Sequence, residues 1–324
     1  YNDFLFWETS NMHSLRENKN LLPSIEDMTV HQNKLIFGVG SKGKIGVFDM
    51  EKGTFEKFNS RQYERVNGVE SIGPDQFISI SHDGTVAINS IKQKGKVASI
   101  NFDNPEDTTV REKVNYEEED RMMYTMKMLS RKNLIEYAYI PSEKVLAAAS
   151  AVDMELIDLD KRKRLDTLVG HNDYIRNISL SHNGKYLLTA SLDKTAKLWD
   201  ISNRKVPINY FGHTNRVFDA IFSNDDQYVL TGCADGKVRV FKTETGEFVR
   251  NGAFNQDEIY DIALSPNGSL LVVAGRKGLK VWDWQNATLK FDLSAATIEF
   301  RDVKFLNDDL LVLINKNDEI QFFI

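Results

Sequence analysis

Residues 170–200 read GHNDYIRNISLSHNGKYLLTASLDKTAKLWD, and the rest of the chain consists of closer or looser copies of this stretch. Within it IRNISL alternates apolar and polar side chains, SHNGK is turn chemistry, YLLTAS is a β-rich run, LDK is a tight turn and TAKLWD is another strand. Segments of period two broken by Gly, Asn and Asp are hairpin signals. The unit therefore predicts three consecutive antiparallel strands.

Its ending returns at Phe48-Asp49, Asn89-Ser90, Ile157-Asp158, Trp199-Asp200, Phe241-Lys242, Trp282-Asp283 and Phe322-Phe323, at intervals of 41, 68, 42, 42, 41 and 40 residues. One interval is long by about 27 residues; the others give the period of a four-stranded propeller blade. With Gly170-His171 at its head and Trp199-Asp200 at its foot, the unit resembles the WD-repeat β-propellers. The likeness is strong from Gly170 to Asp283 and degenerate elsewhere, and the phase carries it across nearly all 324 residues. It implies an all-β fold of seven four-stranded antiparallel blades in one domain spanning 1–324, at roughly 24–58, 64–102, 134–169, 175–210, 216–250, 259–292 and 299–324.

A ring so built needs an outer strand for its last blade, since closure removes two exposed edges. Within the N-terminal extension, residues 1–23, the segment 13–18 is expected to supply that strand. Trp7, which lies 41 residues before Phe48, is then surplus. The long interval is an insertion at 103–130 with eight acidic and four basic side chains. Glu117 to Leu129 favours helix, with Met122, Met126 and Leu129 on one face. Two readings stand: a solvated loop whose short helix rests on the propeller, or a docking element, since Met stripes suit adaptable interfaces.

Composition narrows the class. Net charge is −6, so no global basic field favours nucleic acid or an anionic membrane. Cys233 is the only cysteine, which excludes an internal disulfide and fits an intracellular compartment, cytoplasm or nucleus. No apolar run is long enough to span a bilayer. The sequence opens on Tyr1 rather than Met, which leaves open that it is a piece of a longer chain.

Motifs that suggest catalysis fail on context. Gly38 to Lys44, GVGSKGK, has the glycine spacing of a phosphate-binding loop but is followed by the strand IGVFD, whereas phosphate binding needs a helix N-terminus there. The runs at 81–83 and 181–183 are consecutive turn residues, not a triad assembled from distant positions. The six histidines show no metal-ligand spacing. No enzyme activity, metal, cofactor or small-molecule substrate is therefore expected.

In the WD-repeat family a blade holds a buried hydrogen-bonded chain of structural purpose. The resemblance places it here on His171, Asp193, Trp199 and a strand hydroxyl, Thr189 or Ser191. In the fifth blade it falls on His213 and Asp235, with Phe241 replacing Trp; the sixth has Trp282 but no Gly-His.

Stacking the starts of the innermost strands (IEDM, VNGV, LIEY, IRNI, VFDA, IYDI, FRDV) gives an apolar first column and a second that reads Glu26, Asn67, Ile135, Arg176, Phe218, Tyr260, Arg301. A position repeated in geometry and free in chemistry is not set by the core. In the family it lines the channel mouth. The third column, Asp27, Gly68, Glu136, Asn177, Asp219, Asp261, Asp302, is acidic or amide in six of seven places and is expected to accept from neighbouring turn amides.

The function expected is a non-enzymatic scaffold in a multiprotein complex, holding a peptide or protein surface at the channel mouth through Arg176, Phe218, Tyr260 and Arg301, with Tyr174, Asn215 and Arg216 beside them. One rival is an RNA-associated assembly factor using Arg65, Arg176, Arg216, Arg276 and Arg301. The other, less favoured, is an enzyme with a site in the channel, for which no convergent carboxylate or histidine pair is visible.

Overall fold

The computed structural model describes residues 5–7, 25–31, 34–39, 44–49, 54–59, 66–81, 85–92, 95–101, 134–161, 163–204, 208–254, 257–293, 298–305, 307–308, 310–316 and 320–323. The described residues contain no helix and form seven four-stranded sheets. In order of the chain the first sheet holds Ile25–His31, Lys34–Val39, Lys44–Asp49 and Thr54–Asn59; the second Val66–Ser71, Gln76–Ser81, Thr85–Ser90 and Gly95–Asn101. The third holds Leu134–Ile140, Val145–Ser150, Asp153–Asp158 and Lys163–Leu168; the fourth Ile175–Leu180, Tyr186–Ser191, Ala196–Asp200 and Ile208–Tyr210. The fifth holds Val217–Phe222, Tyr228–Cys233, Lys237–Lys242 and Phe248–Phe254; the sixth Ile259–Leu264, Leu270–Gly275, Gly278–Asp283 and Thr288–Asp292. Each of these is an antiparallel meander.

The seventh sheet differs. Phe300–Phe305, Leu311–Asn315 and Ile320–Phe323 are antiparallel, and their fourth strand is Leu5–Trp7, parallel to the last, with Trp7 opposite Phe323. The place expected for residues 13–18 is thus taken by the strand that the spacing had left over. Residues 13–18 themselves, like the insertion at 103–130 with Met122, Met126 and Leu129, lie outside the described residues.

The second strand of each sheet explains why the sheets are stacked. VLAAAS, YLLTAS, YVLTGC, LLVVAG and LVLIN are almost continuously apolar, and their described side chains are buried on both faces. A strand of that kind needs a covering layer on each side. The apolar core is accordingly divided among the gaps between successive sheets. Ala147 and Ala149 of the third sheet pack with Ile178, Leu187 and Trp199 of the fourth, whereas Leu146 and Ala148 pack the other way, against Ile78, Ile80 and Val86 of the second. The same division recurs with Leu188 and Phe241, with Leu230 and Leu271, and with Val272 and Leu313. The first strands follow one another in a row, each packed on the next.

Two glycines mark how close these sheets come. Gly38, in the glycine run at 38–44, lies opposite Ile45 in the ladder, and a Cβ on it would meet Val66 Cγ1 at 2.8 Å. A Cβ on Gly68 would lie 1.9 Å from Cε1 of Tyr137, whose hydroxyl donates to the Val69 carbonyl at 2.8 Å and so fixes the ring. Gly68→Ala is expected to cost about 1–3 kcal/mol by overpacking this gap. Gly73→Ala, where an added Cβ meets nothing within 4 Å, should be near neutral. Urea denaturation of both variants checks the assignment, and equal stability of the two would refute it.

Candidate functional site

Every first strand carries the same defect. The register against the second strand slips between Ile25 and Asp27, Val66 and Gly68, Leu134 and Glu136, Ile175 and Asn177, Val217 and Asp219, Ile259 and Asp261, and Phe300 and Asp302. The residue skipped in each is Glu26, Asn67, Ile135, Arg176, Phe218, Tyr260 or Arg301, which is the column whose chemistry does not repeat. A bulge takes its extra residue out of the two-residue alternation and re-aims the side chain.

Arg176 and Arg301 are exposed there, and Phe218 and Tyr260 are half-buried, edge to face at 5.4 Å and 80°. The Tyr260 hydroxyl donates to Glu258 Oε2 at 3.0 Å. Burial first, then Glu258 and Glu299, hold its phenol above the ordinary tyrosine range. The turn into the third strand closes on the same end. Leu192, Ala234, Arg276 and Lys316 donate their N–H groups to the carbonyls of Tyr174, Arg216, Glu258 and Glu299, each just before a first strand. Tyr174 is 49% exposed, and Val169 and Phe211, in the approaches to the Gly-His pairs, are 68% and 64% exposed. Asn215 and Arg216 are exposed as well, the Asn215 side chain accepting from the Arg216 N–H at 2.9 Å.

The column after the bulge works inward. Asp219 accepts from the Ala220 N–H at 2.8 Å and, across the gap, from the Ile262 N–H of the sixth sheet at 2.9 Å. Asp261 repeats this, accepting from Ile262 at 3.0 Å and from Val303 of the seventh sheet at 2.6 Å. A first strand has no neighbour on its inner edge, so its N–H groups there need other acceptors. For Asp219 and Asp261 the partners are thus strand amides, not the turn amides expected from the sequence, and Asn177 Oδ1 in the same column is buried without a partner. Burial pushes Asp219 up to about 6, and burial together with the charge of Asp219 holds Asp261 well above the carboxylate range.

In the fourth sheet the polar chain runs from His171 Nδ1 to Asp193 Oδ2 at 2.8 Å, from His171 Nε2 to Thr189 Oγ1 at 2.7 Å, and from Trp199 Nε1 to the same Oγ1 at 3.0 Å. Asp193 can only accept, so His171 donates from Nδ1. Thr189 then donates to Nε2 and accepts from the indole. Thr189, not Ser191, is the link. Ser191 instead donates to the Asp173 carbonyl and accepts from the Asp193 N–H. Burial would raise Asp193, but donors from His171, Thr195 and Asn172 outweigh it and hold the carboxyl well below its usual range.

The fifth sheet departs from this at two residues, Arg239 and Phe241. His213 Nε2 meets Thr231 Oγ1 at 2.8 Å, but Asp235 does not reach the histidine. Its carboxylate is drawn to the buried Arg239 fork at 3.0 and 2.7 Å and to Thr214. At the matching position of the fourth sheet stands Lys197, which donates to Asn209 and leaves Asp193 to His171. Phe241 lies tilted against His213, with ring centres 5.7 Å apart, where an indole would have donated. In the sixth sheet the Trp282 indole nitrogen is buried without an acceptor, while Trp284, not singled out in the sequence, donates to Gly268 at 2.8 Å. In the second sheet Asn89 stands in the aromatic's place and donates to Ser79 Oγ at 2.9 Å, an amide doing the work of the indole.

Residues 162–200, 205–242 and 246–283 each match the WD40 family, described as WD domain, G-beta repeat. The chain thus carries three WD40 repeats, consistent with a WD-repeat family, and its four-stranded sheets are consistent with WD40 propeller blades. Each match begins at or just before the fourth strand of one sheet and ends on the third strand of the next, so the sequence repeat straddles two sheets. WD40 repeats generally serve as protein-interaction scaffolds. Among the described residues no group of three or more His, Cys, Asp or Glu could hold a metal, and no helix is long and apolar enough to cross a membrane.

Thr189→Val leaves both His171 Nε2 and the Trp199 indole unpaired and is expected to cost about 2–4 kcal/mol, against about 1 for Ser191→Ala; the reverse order in denaturant titrations would refute the Thr189 link. His213 gives a pH signature. Burial and the Arg239 charge depress it to about 4 from 6.5, so the folded state binds fewer protons than the unfolded state between those values. Its contribution is intact above pH 6.5 and falls by up to about 3 kcal/mol as pH drops toward 4. Asp219 titrates in the same window with the opposite sign, so the quantity to measure is the stability of wild type minus that of His213→Gln. It should shrink from pH 7 to 4.5, and a flat difference would count against the buried neutral imidazole.

Proposed function

We propose that the seven sheets are blades of one ring and that the chain is a non-enzymatic scaffold binding a peptide or protein surface at the end carrying the bulged residues. Leu5–Trp7, seated in the same sheet as Ile320–Phe323, is the proposed closing strand. The observation that supports the binding face is the recurrence of the bulge in all seven sheets at the one column without a repeated chemistry. A fold that needed the column only for packing would repeat its residue type, as the apolar first column does.

Arg176, the Phe218–Tyr260 pair and Arg301 stand on four successive sheets, with Val169 and Tyr174 in the connection from the third to the fourth sheet and Phe211 in that from the fourth to the fifth adding exposed apolar surface. Aromatic and arginine side chains of this kind are the usual anchors of protein interfaces. Glu258 and Glu299 alternate with Arg216, Arg276 and Arg301 around that end, which favours a protein partner over RNA, for which an unbroken basic track would serve better. The chain is proposed to act inside the cell, with its single thiol, Cys233, buried.

Affinity purification from the native cell tests this reading with wild type, the Arg176/Tyr260/Arg301→Ala triple variant and a deletion of 105–129. Loss of a reproducible protein set from the triple variant alone, with its thermal melt intact, is the expected outcome. Loss from the deletion alone would move binding to the insertion, and a recovered fraction dominated by RNA would overturn the protein-scaffold reading.

A further inference from the structure

At the opposite end of the sheets, between the fifth and the sixth, lies a cavity of about 430 Å³. Its walls include Tyr228, Val249 and Arg250 of the fifth sheet, Trp284 and Gln285 at the foot of the sixth, and Asn224 in the turn after a first strand. We propose that this cavity is a second binding site, which takes the side-chain carboxylate of a partner peptide on Arg250.

The guanidinium of Arg250 is placed by contacts that use only part of it. Nη2 donates to the carbonyls of Trp284 at 2.5 Å and Gln285 at 3.1 Å, and the guanidinium carbon stands 5.8 Å from the centre of the Trp284 ring. The Trp284 ring is in turn pinned by its indole bond to Gly268 and by an edge contact with Tyr228 at 6.2 Å. Nη1 is enclosed and has no hydrogen-bond partner.

Arginines elsewhere in the third to fifth sheets are compensated. Arg239 pairs with Asp235, Arg164 with Glu155 and Arg204 with Asp166, whereas among the described residues no carboxylate lies within ion-pair reach of Arg250. A guanidinium cannot shed its proton to escape a poorly solvated site, so an enclosed and unpaired Nη1 is a standing demand for an acceptor, preferably an anion.

The remaining walls narrow the ligand. Nη2 is engaged by two carbonyls and Nη1 is sealed from solvent, so a ligand must draw the side chain toward the cavity to reach Nη1. One carboxylate oxygen asks less of that movement than a phosphate, whose several oxygens would need more donors. Asp225 also lines the cavity, with Oδ1 taken by Ser223 Oγ at 2.6 Å and the Gln227 N–H at 3.1 Å. Its charge opposes a polyanion and leaves the Arg250 wall as the place for one negative group. Val249, 40% exposed, and the Tyr228 and Trp284 rings offer apolar surface to neighbouring residues of the same ligand. The volume suits a few side chains, within the roughly 300–1,000 Å³ of ordinary ligand pockets. An acidic residue flanked by apolar ones in a protein partner matches all three walls, and this site does not depend on the bulged end.

The test uses the full chain and N-acetylated, C-amidated hexapeptides with one Glu or Asp between apolar residues, each paired with its Gln or Asn copy. Binding is followed by anisotropy and by the indole shift of Trp284. Acidic members should bind saturably and shift that indole, and should weaken by about tenfold or more in the amide copy and in Arg250→Gln. Val249→Asp, at an exposed position, should weaken them similarly and remains informative if Arg250→Gln does not fold. The Arg176/Tyr260/Arg301→Ala variant should bind them unchanged, which separates this site from the proposed scaffold face. No acidic peptide preferred over its amide copy, or affinity indifferent to both cavity variants, would overturn the proposal.

Discussion

A four-stranded sheet whose second strand is apolar on both faces cannot be stable alone, and the architecture follows from that constraint. Each sheet from the second to the sixth covers one face of the sheet before it and one face of the sheet after it, so the core is a series of gaps instead of a single interior. The gap is tight enough that glycine is required where Tyr137 crosses onto the second sheet. Stability in such an array comes from neighbours, which is why repeats with badly degraded motifs, such as the one ending in Asn89-Ser90, still form full sheets.

Stacking leaves one problem unsolved, and its solution connects to the binding surface. First strands have an inner edge with no ladder partner, so their amides need acceptors from elsewhere. Asp219 and Asp261 supply them across the gap, at the cost of burying two neighbouring carboxyls, of which Asp261 is held well above the carboxylate range by burial and by the charge of Asp219. The bulge lies one residue before each of these two acids. It directs the acid into the gap and the preceding side chain out of the alternation. The same local irregularity therefore joins sheets and releases a column of residues from the demands of packing.

The polar chains inside the sheets show how one side chain redirects a network. Lys197 and Arg239 occupy matching positions, but the arginine's forked head reaches back to Asp235, while Lys197 turns to Asn209. Asp193 is thereby free to orient His171, and His213 is left with Thr231 and a neighbouring positive charge. The two histidines share a motif and differ in electrostatics, a distinction that a pattern of Gly-His and Asp cannot express.

The sequence by itself determined the all-β class, the repeat of about 41 residues, the strand positions and the column of variable residues, because hairpin chemistry and a period of two are written locally. The tertiary structure alone decided what depended on distant partners. It put Leu5–Trp7 beside Ile320–Phe323 instead of residues 13–18, since strand pairing across nearly the whole chain leaves no local mark. It chose Thr189 over Ser191, because adjacent strand hydroxyls two residues apart differ only in what each meets across the ladder. It also brought Arg250 to Trp284, 34 residues away and in another sheet, where neither residue stood out until a shared cavity gave the pair a meaning.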